Sequence, residues 1–305
     1  MPGEALSKEA RERAFWLASR GAQQMDLAVR FSAAALSRDL RVLALKGISI
    51  ADELYGGASN RPMADIDFLV VDTRAFELAA QLARSLGLLE TGASDHALVF
   101  KEPASGVVLE LHVSLTACPG LFTVDHEAVW ERRVPVVSTS MFRLADADLI
   151  VHLALHTAFQ HGFVAGEYHY RDFVRALETF KPAADLVLAR ASEWGAAEAL
   201  GAMAFSCREE APGSKVLVDL LERFQSRCPK GVRRWIEAQP RMPPPMSLLS
   251  LAHVRYGLAP SKWGYVRRTL RPRAIAGRTL PARGRIRRLA DLVDAGLFPP
   301  ARPRP

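Results

Sequence analysis

The chain has 305 residues, 49% hydrophobic and 24% charged, with a formal net charge of +7. That is ample apolar material for a sizeable core and more typical of two domains than of one. Cys118, Cys207 and Cys228 are odd in number and far apart, which excludes a disulfide framework and a CxxC metal site and points to a reducing, cytoplasmic setting.

The N-terminal MPGEALSKEARERAF mixes acids with bases and has no apolar run, so it does not read as a signal peptide. Residues 8–37 have helical periodicity and form one or two helices. RVLALKG, 41–47, is a strand candidate, and ISIADELY, 48–55, suits two helical turns closed by Gly56 and Gly57. DIDFLVV, 65–71, is rich in β-formers and reads as a second strand. Thr73 is placed to cap a helix that ends at Gly87. HALVFKE, 96–102, and GVVLELHVSL, 106–115, read as a β-hairpin around Pro103-Ala104-Ser105-Gly106.

From Asp146 onward the pattern becomes helical: DADLIVHLALHTAFQHG, YRDFVRALETF and ADLVLARASEWGAAEALGAMAF. The longest apolar stretch, Leu149 to Phe159, contains two histidines and is too short for a membrane span. A Pro-rich break at 239–245 precedes a basic stretch. Between Ala238 and Ala290 stand eleven Arg, one Lys and no acid, a charge of +12 that leaves −5 for the rest of the chain. Such asymmetry fits an RNA or acidic-protein partner along Arg267–Arg288; a solvated Arg-rich helix and tail fits it equally. The fold class expected is α+β, a mixed sheet flanked by helices, followed by an α-helical domain and a basic, partly disordered tail.

Asp65 and Asp67 stand one residue apart in an otherwise apolar run. A buried carboxylate costs several kcal/mol or more unless a proton, a basic group or a metal neutralises it. An isolated pair of this kind most often marks a strand's exposed start. Glu110, in a second apolar run, changes that weighting. Side-chain alternation puts Asp65 and Asp67 on one face, and Glu110 with His112 on one face. Converging, the three carboxylates make an oxygen-rich site suited to Mg²⁺.

The segment LKGISIADELYGGASNRPMADIDFLV resembles the uncharacterised nucleotidyltransferase group of the DNA polymerase β-like superfamily, through its Leu-Lys-Gly, aliphatic helix, Arg-Pro-Met and Asp-x-Asp. VVLELHVSL is similar to the third-carboxylate strand of that group, and DADLIVHLALHTAFQHG with YRDFVRAL to its helical half. The likeness spans roughly residues 10–200. With it, the expected organisation is N-terminal helices over 1–40, a nucleotidyltransferase core over 41–140 and a helical domain over 141–237; the basic segment over 238–305 has no counterpart in that group. The likeness also implies Mg²⁺, or Mn²⁺, on Asp65, Asp67 and Glu110, with a nucleoside triphosphate such as ATP as substrate. Transfer of NMP to a hydroxyl or phosphate of a small molecule, protein or RNA would release pyrophosphate.

Around that core, Gly47 would let phosphates approach a helix N-terminus. Lys46-Gly47 stands where the superfamily usually has Gly-Ser or Gly-Gly before the helix, with Ser49 two residues on. Lys46 therefore either contacts the triphosphate or points to solvent. Arg61 is placed to clamp a phosphate or to pair with Asp65 or Asp67. His112 is either a satisfied polar residue or part of the nucleotide site. His152 and His156 have i,i+4 metal spacing, yet no HExxH glutamate and no evident third ligand accompany them or His161. That face reads instead as lining a cleft, with His156 on the nucleotide or acceptor. Arg171 and Asp172 form a structural pair or line the same cleft. The competing function is an inert binding module that docks through the basic segment.

Overall fold

The computed structural model describes residues 7–208, 215–238, 248–270, 274–275 and 278–279. They fall into two compact units. The first takes Met1–Gly92, Leu98–His112 and Arg133–Arg143; the second takes Ala93–Ala97, Val113–Arg132 and the chain from Leu144 onward. The Pro-rich break at 239–245 and most of Arg267–Arg288 lie outside the described residues.

The first unit is built on a seven-stranded mixed sheet. Its strands are β1 (Val42–Leu45), β2 (Ile66–Val70), β3 (Leu89–Ala93), β4 (Ala97–Lys101), β5 (Val108–His112), β6 (Val134–Pro135) and β7 (Phe142–Arg143), in the order β3-β4-β5-β2-β1-β7-β6. β1 and β2 run antiparallel with Leu45 opposite Asp67, while β2 and β5 run parallel with Asp67 opposite Glu110. Every residue of β1 and β2 is buried, as expected for central strands covered on both faces. β2 and its neighbour β5 carry Asp67 and Glu110, so the register between them sets the site.

Three helices complete this unit: α1 (Lys8–Leu36), α2 (Lys46–Tyr55) and α3 (Phe76–Ser85). The second half of α1 is apolar inward, with Leu27, Ala28, Phe31 and Ala35 fully buried, and Phe31 meets Phe68 of β2 at 5.1 Å between ring centroids. α2 follows β1 with no intervening loop, starting two residues before the expected Ile48, and ends on Gly56 in the left-handed conformation, φ 70°. Arg143 of β7 reaches α2 through a two-pronged ion pair to Glu53, 2.8 and 3.0 Å, the fork geometry that makes such pairs strong.

Three details differ from the expectation drawn from sequence. Asp72, not Thr73, caps the turn before α3, accepting from the Arg74 amide at 2.9 Å. The 73–87 segment opens with a 3-10 turn over Thr73–Ala75 before the α-helix proper. β3, β6 and β7 join the expected strands at the two ends of the sheet.

The second unit is helical, with α4 (His126–Glu131), α5 (Asp146–His161), α6 (Glu167–Phe180), α7 (Ala184–Trp194), α8 (Ala197–Ser206), α9 (Lys215–Gln225), α10 (Lys230–Ala238), α11 (Leu248–Leu258) and α12 (Lys262–Leu270). α5 is its axis, packing on α6, α7, α8 and α11. A helix surrounded in this way is apolar all round, and twelve of its sixteen residues are buried. Its buried Asp148 is held by Arg132, 3.0 and 3.3 Å, and by Arg190, 2.6 Å. Arg171 pairs with Glu167 of its own helix. In the basic stretch, Arg268 donates to the Pro119 carbonyl at 2.8 Å, and Arg267 is exposed. Among the described residues no helix is long and apolar enough to cross a membrane.

Gly21 of α1 provides a test of the first unit's packing. A methyl group there would stand 2.6 Å from the backbone carbonyl of Ala58, whereas one on Gly231 of α10 would meet nothing within 4 Å. Helix propensity favours alanine over glycine by about 1 kcal/mol, but overpacking costs about 1–3 kcal/mol. Gly21→Ala is therefore expected to lower stability by up to about 2 kcal/mol in urea unfolding, while Gly231→Ala leaves it unchanged or raises it.

Candidate functional site

The candidate site lies in the first unit, where β1, β2 and β5 run side by side. Asp67 sits in the middle of this group and is only 3% exposed. One of its oxygens, Oδ1, takes both the Lys46 ammonium at 2.9 Å and the His112 Nε2 at 2.8 Å. His112 Nε2 also lies 3.4 Å from a Glu110 carboxylate oxygen. Ligand atoms of Asp67, Glu110 and His112 all fall within 4.8 Å of one another.

These contacts follow from the backbone. Parallel pairing of β2 with β5 places Asp67 beside Glu110, and the two-residue period returns His112 to the face of Glu110. Lys46 reaches Asp67 because β1 turns into α2 at Lys46, whose φ is +49°. A non-glycine residue in that left-handed region carries a cost on the order of 1 kcal/mol, and such costs concentrate at functional sites.

Electrostatics distinguishes the two aspartates. Burial by itself would raise the Asp67 carboxyl, but Lys46 and His112 outweigh it and hold Asp67 well below the usual carboxylate range. Asp65, just before β2, has no such contact: burial first, then the Asp67 charge, push its carboxyl from 3.8 up to about 6. Burial opposes the charges on Lys46 and His112 as well. The carboxylates overcome it in both cases, so both groups hold their protons more tightly than usual. Asp65 and Lys46 each feel Asp67 and Glu110, so the three acids share one field.

The remaining sequence candidates are placed as follows. Gly47, the second residue of α2, is covered by the Arg61 guanidinium: a Cβ there would lie 2.6 Å from an Arg61 terminal nitrogen and 2.8 Å from the Met63 sulfur. Arg61 donates to the Pro62 carbonyl at 3.0 Å, and Gln24 of α1 holds the same segment by donating to the Met63 carbonyl at 3.0 Å. The Ser49 hydroxyl donates to the Lys46 carbonyl at 2.8 Å within the first turn of α2. His156 belongs to the second unit, where its Nε2 lies 3.2 Å from that of His161. The sequence reading left Lys46 undecided between triphosphate and solvent and did not anticipate its pairing with Asp67.

Oxygen donors from Asp65, Asp67 and Glu110 suit a hard cation such as Mg²⁺. A dense negative field, partly offset by Lys46 and His112, is also what such an ion would relieve. The raised Asp65 carboxyl has a measurable consequence in the metal-free protein. The folded chain keeps that proton up to about pH 6, whereas the unfolded chain loses it near 3.8, so ionising Asp65 costs stability as pH rises between those values. In EDTA at pH 7, Asp65→Asn is expected to be more stable than wild type by on the order of 2 kcal/mol. The difference should vanish below pH 4 in urea unfolding followed across pH.

Comparison with known proteins bears on this geometry. No curated protein matches the chain. A solved structure of the antibiotic-resistance factor ANT(2'')-Ia is similar at a TM-score of 0.42 and 18% identity, over 56% of this chain and 91% of that one. The profile described as "Uncharacterised nucleotidyltransferase" matches residues 1–211, a span that contains every acid and base of the site. On that match over more than half its length, the chain belongs to the uncharacterised nucleotidyltransferase family.

Proposed function

We propose that the protein transfers NMP from a nucleoside triphosphate to a hydroxyl or phosphate of an acceptor, with release of pyrophosphate, using Mg²⁺ or Mn²⁺ held by Asp65, Asp67 and Glu110. The observation that carries this reading is the buried Asp67, in register with Glu110 and sharing one field with Asp65. When bound there, the ion supplies Lewis acidity to phosphate oxygens and lowers the barrier to attack at the α-phosphorus.

The chain's own residues do the rest. Lys46 places a positive charge among the carboxylates, where it can stabilise negative charge that builds on the phosphates. Arg61, lying on Gly47 at the start of α2, presents a guanidinium whose fork matches phosphate oxygens. The α2 N-terminus adds backbone donors and a favourable dipole, and Ser49 stiffens that turn through the Lys46 carbonyl. Glu110 is the carboxylate assigned to the acceptor side, as metal ligand or as base for the incoming hydroxyl. His112 orients Asp67 through its Nε2 contact.

Incubation of the full chain with α-labelled NTPs and Mg²⁺ tests the reading. Asp67→Asn and Glu110→Gln are each expected to lower label transfer or pyrophosphate release by about 10³-fold, as is EDTA in the wild type. Undiminished turnover in both variants would sink the assignment. Gly47→Ala tests the phosphate side. Its added methyl group collides with the flexible end of Arg61 and with Met63, not with backbone, so the fold should hold while the KM for NTP rises about tenfold with a smaller change in kcat.

A further inference from the structure

Three histidines of the second unit meet at one point. The Nε2 of His161, the last residue of α5, lies 3.2 Å from the Nε2 of His156 one turn earlier and 3.1 Å from the Nε2 of His169 in α6. Ligand nitrogens of all three fall within 4.8 Å of one another, and each ring is partly exposed. The rings of His156 and His169 stack nearly parallel, 9° apart. We propose that His156, His161 and His169 form a three-nitrogen site for a zinc-class divalent cation, with a fourth position open to water or another ligand.

The spacing matches that chemistry. With Zn–N bonds of about 2.0–2.1 Å, two ligands of a tetrahedral site stand roughly 3.3 Å apart. Two of the three nitrogen pairs are already at that distance, and a small ring rotation brings in the third. Imidazole nitrogens select zinc, copper, nickel or iron over magnesium, which prefers oxygen. Tautomer geometry supports the same reading. His169 Nδ1 lies 3.1 Å from the Gly166 carbonyl; a carbonyl can only accept, so Nδ1 carries the proton and neutral His169 turns a lone pair inward at Nε2. A backbone carbonyl on the distal nitrogen is the usual way a metal-binding histidine is oriented.

The intervening turn is held in place as well. Gly162 closes α5 in the left-handed conformation, and the Tyr170 hydroxyl donates to the Phe163 carbonyl at 2.7 Å. A cation here would cross-link the last turn of α5 to the first turn of α6, adding its binding energy to the stability of that junction. Residue spacing hides the set. His152 and His156 are the pair with helical metal spacing, but His152 is 2% exposed and its ring centroid stands 6.2 Å from that of His156.

The site is independent of the nucleotidyl-transfer reading, and the test keeps the two apart. The full chain, as wild type and as the double variant Asp67→Asn/Glu110→Gln, is titrated with Zn²⁺ against a chromophoric chelator, and with Co²⁺ in the visible range. Both proteins are expected to bind one tight equivalent of Zn²⁺ and to give the intense Co²⁺ bands of a tetrahedral nitrogen site. His161→Ala and His169→Ala should weaken zinc binding at least 100-fold, beyond the roughly 10–100-fold that follows loss of an outer hydrogen-bond partner. They should also abolish the zinc-induced rise in Tm. His169→Gln serves the same purpose with less loss of volume should an alanine variant not fold. No tight equivalent in the wild type overturns the proposal, and so does unchanged affinity in the histidine variants. Loss of the equivalent only in the acidic double variant overturns it too, because it would place the ion on the carboxylates.

Discussion

Asp67 keeps its negative charge where almost no water reaches it, and the arrangement around it follows from that constraint. A carboxylate in such surroundings costs several kcal/mol or more unless its partners are close and well aimed. Lys46 and His112 supply the compensation on a single oxygen, at 2.9 and 2.8 Å. His112 is buried and the Lys46 side chain is only 13% exposed, so both charges lean on the carboxylates. Removing Lys46 or His112 leaves Asp67 with one of its two partners, and removing Asp67 leaves the cations with Asp65 and Glu110 as the acids nearest to them. On the proposed reading, Asp67 would hold a metal while already carrying the contacts to Lys46 and His112, not as a bare carboxylate.

Much of the first unit can be understood as support for that contact. β1 delivers Lys46 by passing directly into α2 through a left-handed residue, and the cost of that conformation is met by burial of β1 and by the Glu53–Arg143 pair that ties α2 to β7. β5 delivers Glu110 and His112 through its parallel register with β2. Gln24 of α1 pins the segment that carries Arg61 and Met63 over Gly47. Helix α1, the longest among the described residues, thus does more than cover the sheet. Its amide group fixes the approach to the α2 N-terminus, where a phosphate would arrive.

The acids were legible in the sequence because their chemistry clashes with their neighbours: Asp-x-Asp and Glu110 are costly in apolar strands and so call for an explanation. β1, α2 and β2 were legible for a related reason, since apolar runs bounded by glycines leave few alternatives. What escaped has physical causes. β3, LETGA, is largely exposed and has no apolar alternation, and β6 and β7 are two residues each; strands of that kind exist only through their neighbours. Asp72 and Thr73 are both good caps, and only backbone geometry chooses between them. The Lys46–Asp67 pair depends on a positive φ at a lysine, which residue type does not announce. His169 joins His156 and His161 across a turn between two helices, so no fixed spacing within one helix can reveal it.

The chain therefore pairs two donor sets of opposite character. Oxygen ligands in the sheet suit a small, strongly hydrated ion that keeps its waters and substrate oxygens. Nitrogen ligands at the α5–α6 junction suit a softer ion held by lone pairs on neutral rings. Raw affinity alone would let zinc compete at both, since carboxylates also bind it. On the proposed reading, Lys46 and His112 would oppose any cation at the acidic site until phosphate charge offset them. At the histidine site no such counter-charge is needed, because imidazole binds in its neutral form. On the two proposals, discrimination between the metals would rest on donor type: carboxylate oxygen in the sheet, and in the helical unit imidazole nitrogen, with the Gly166 carbonyl holding the His169 proton on the far nitrogen.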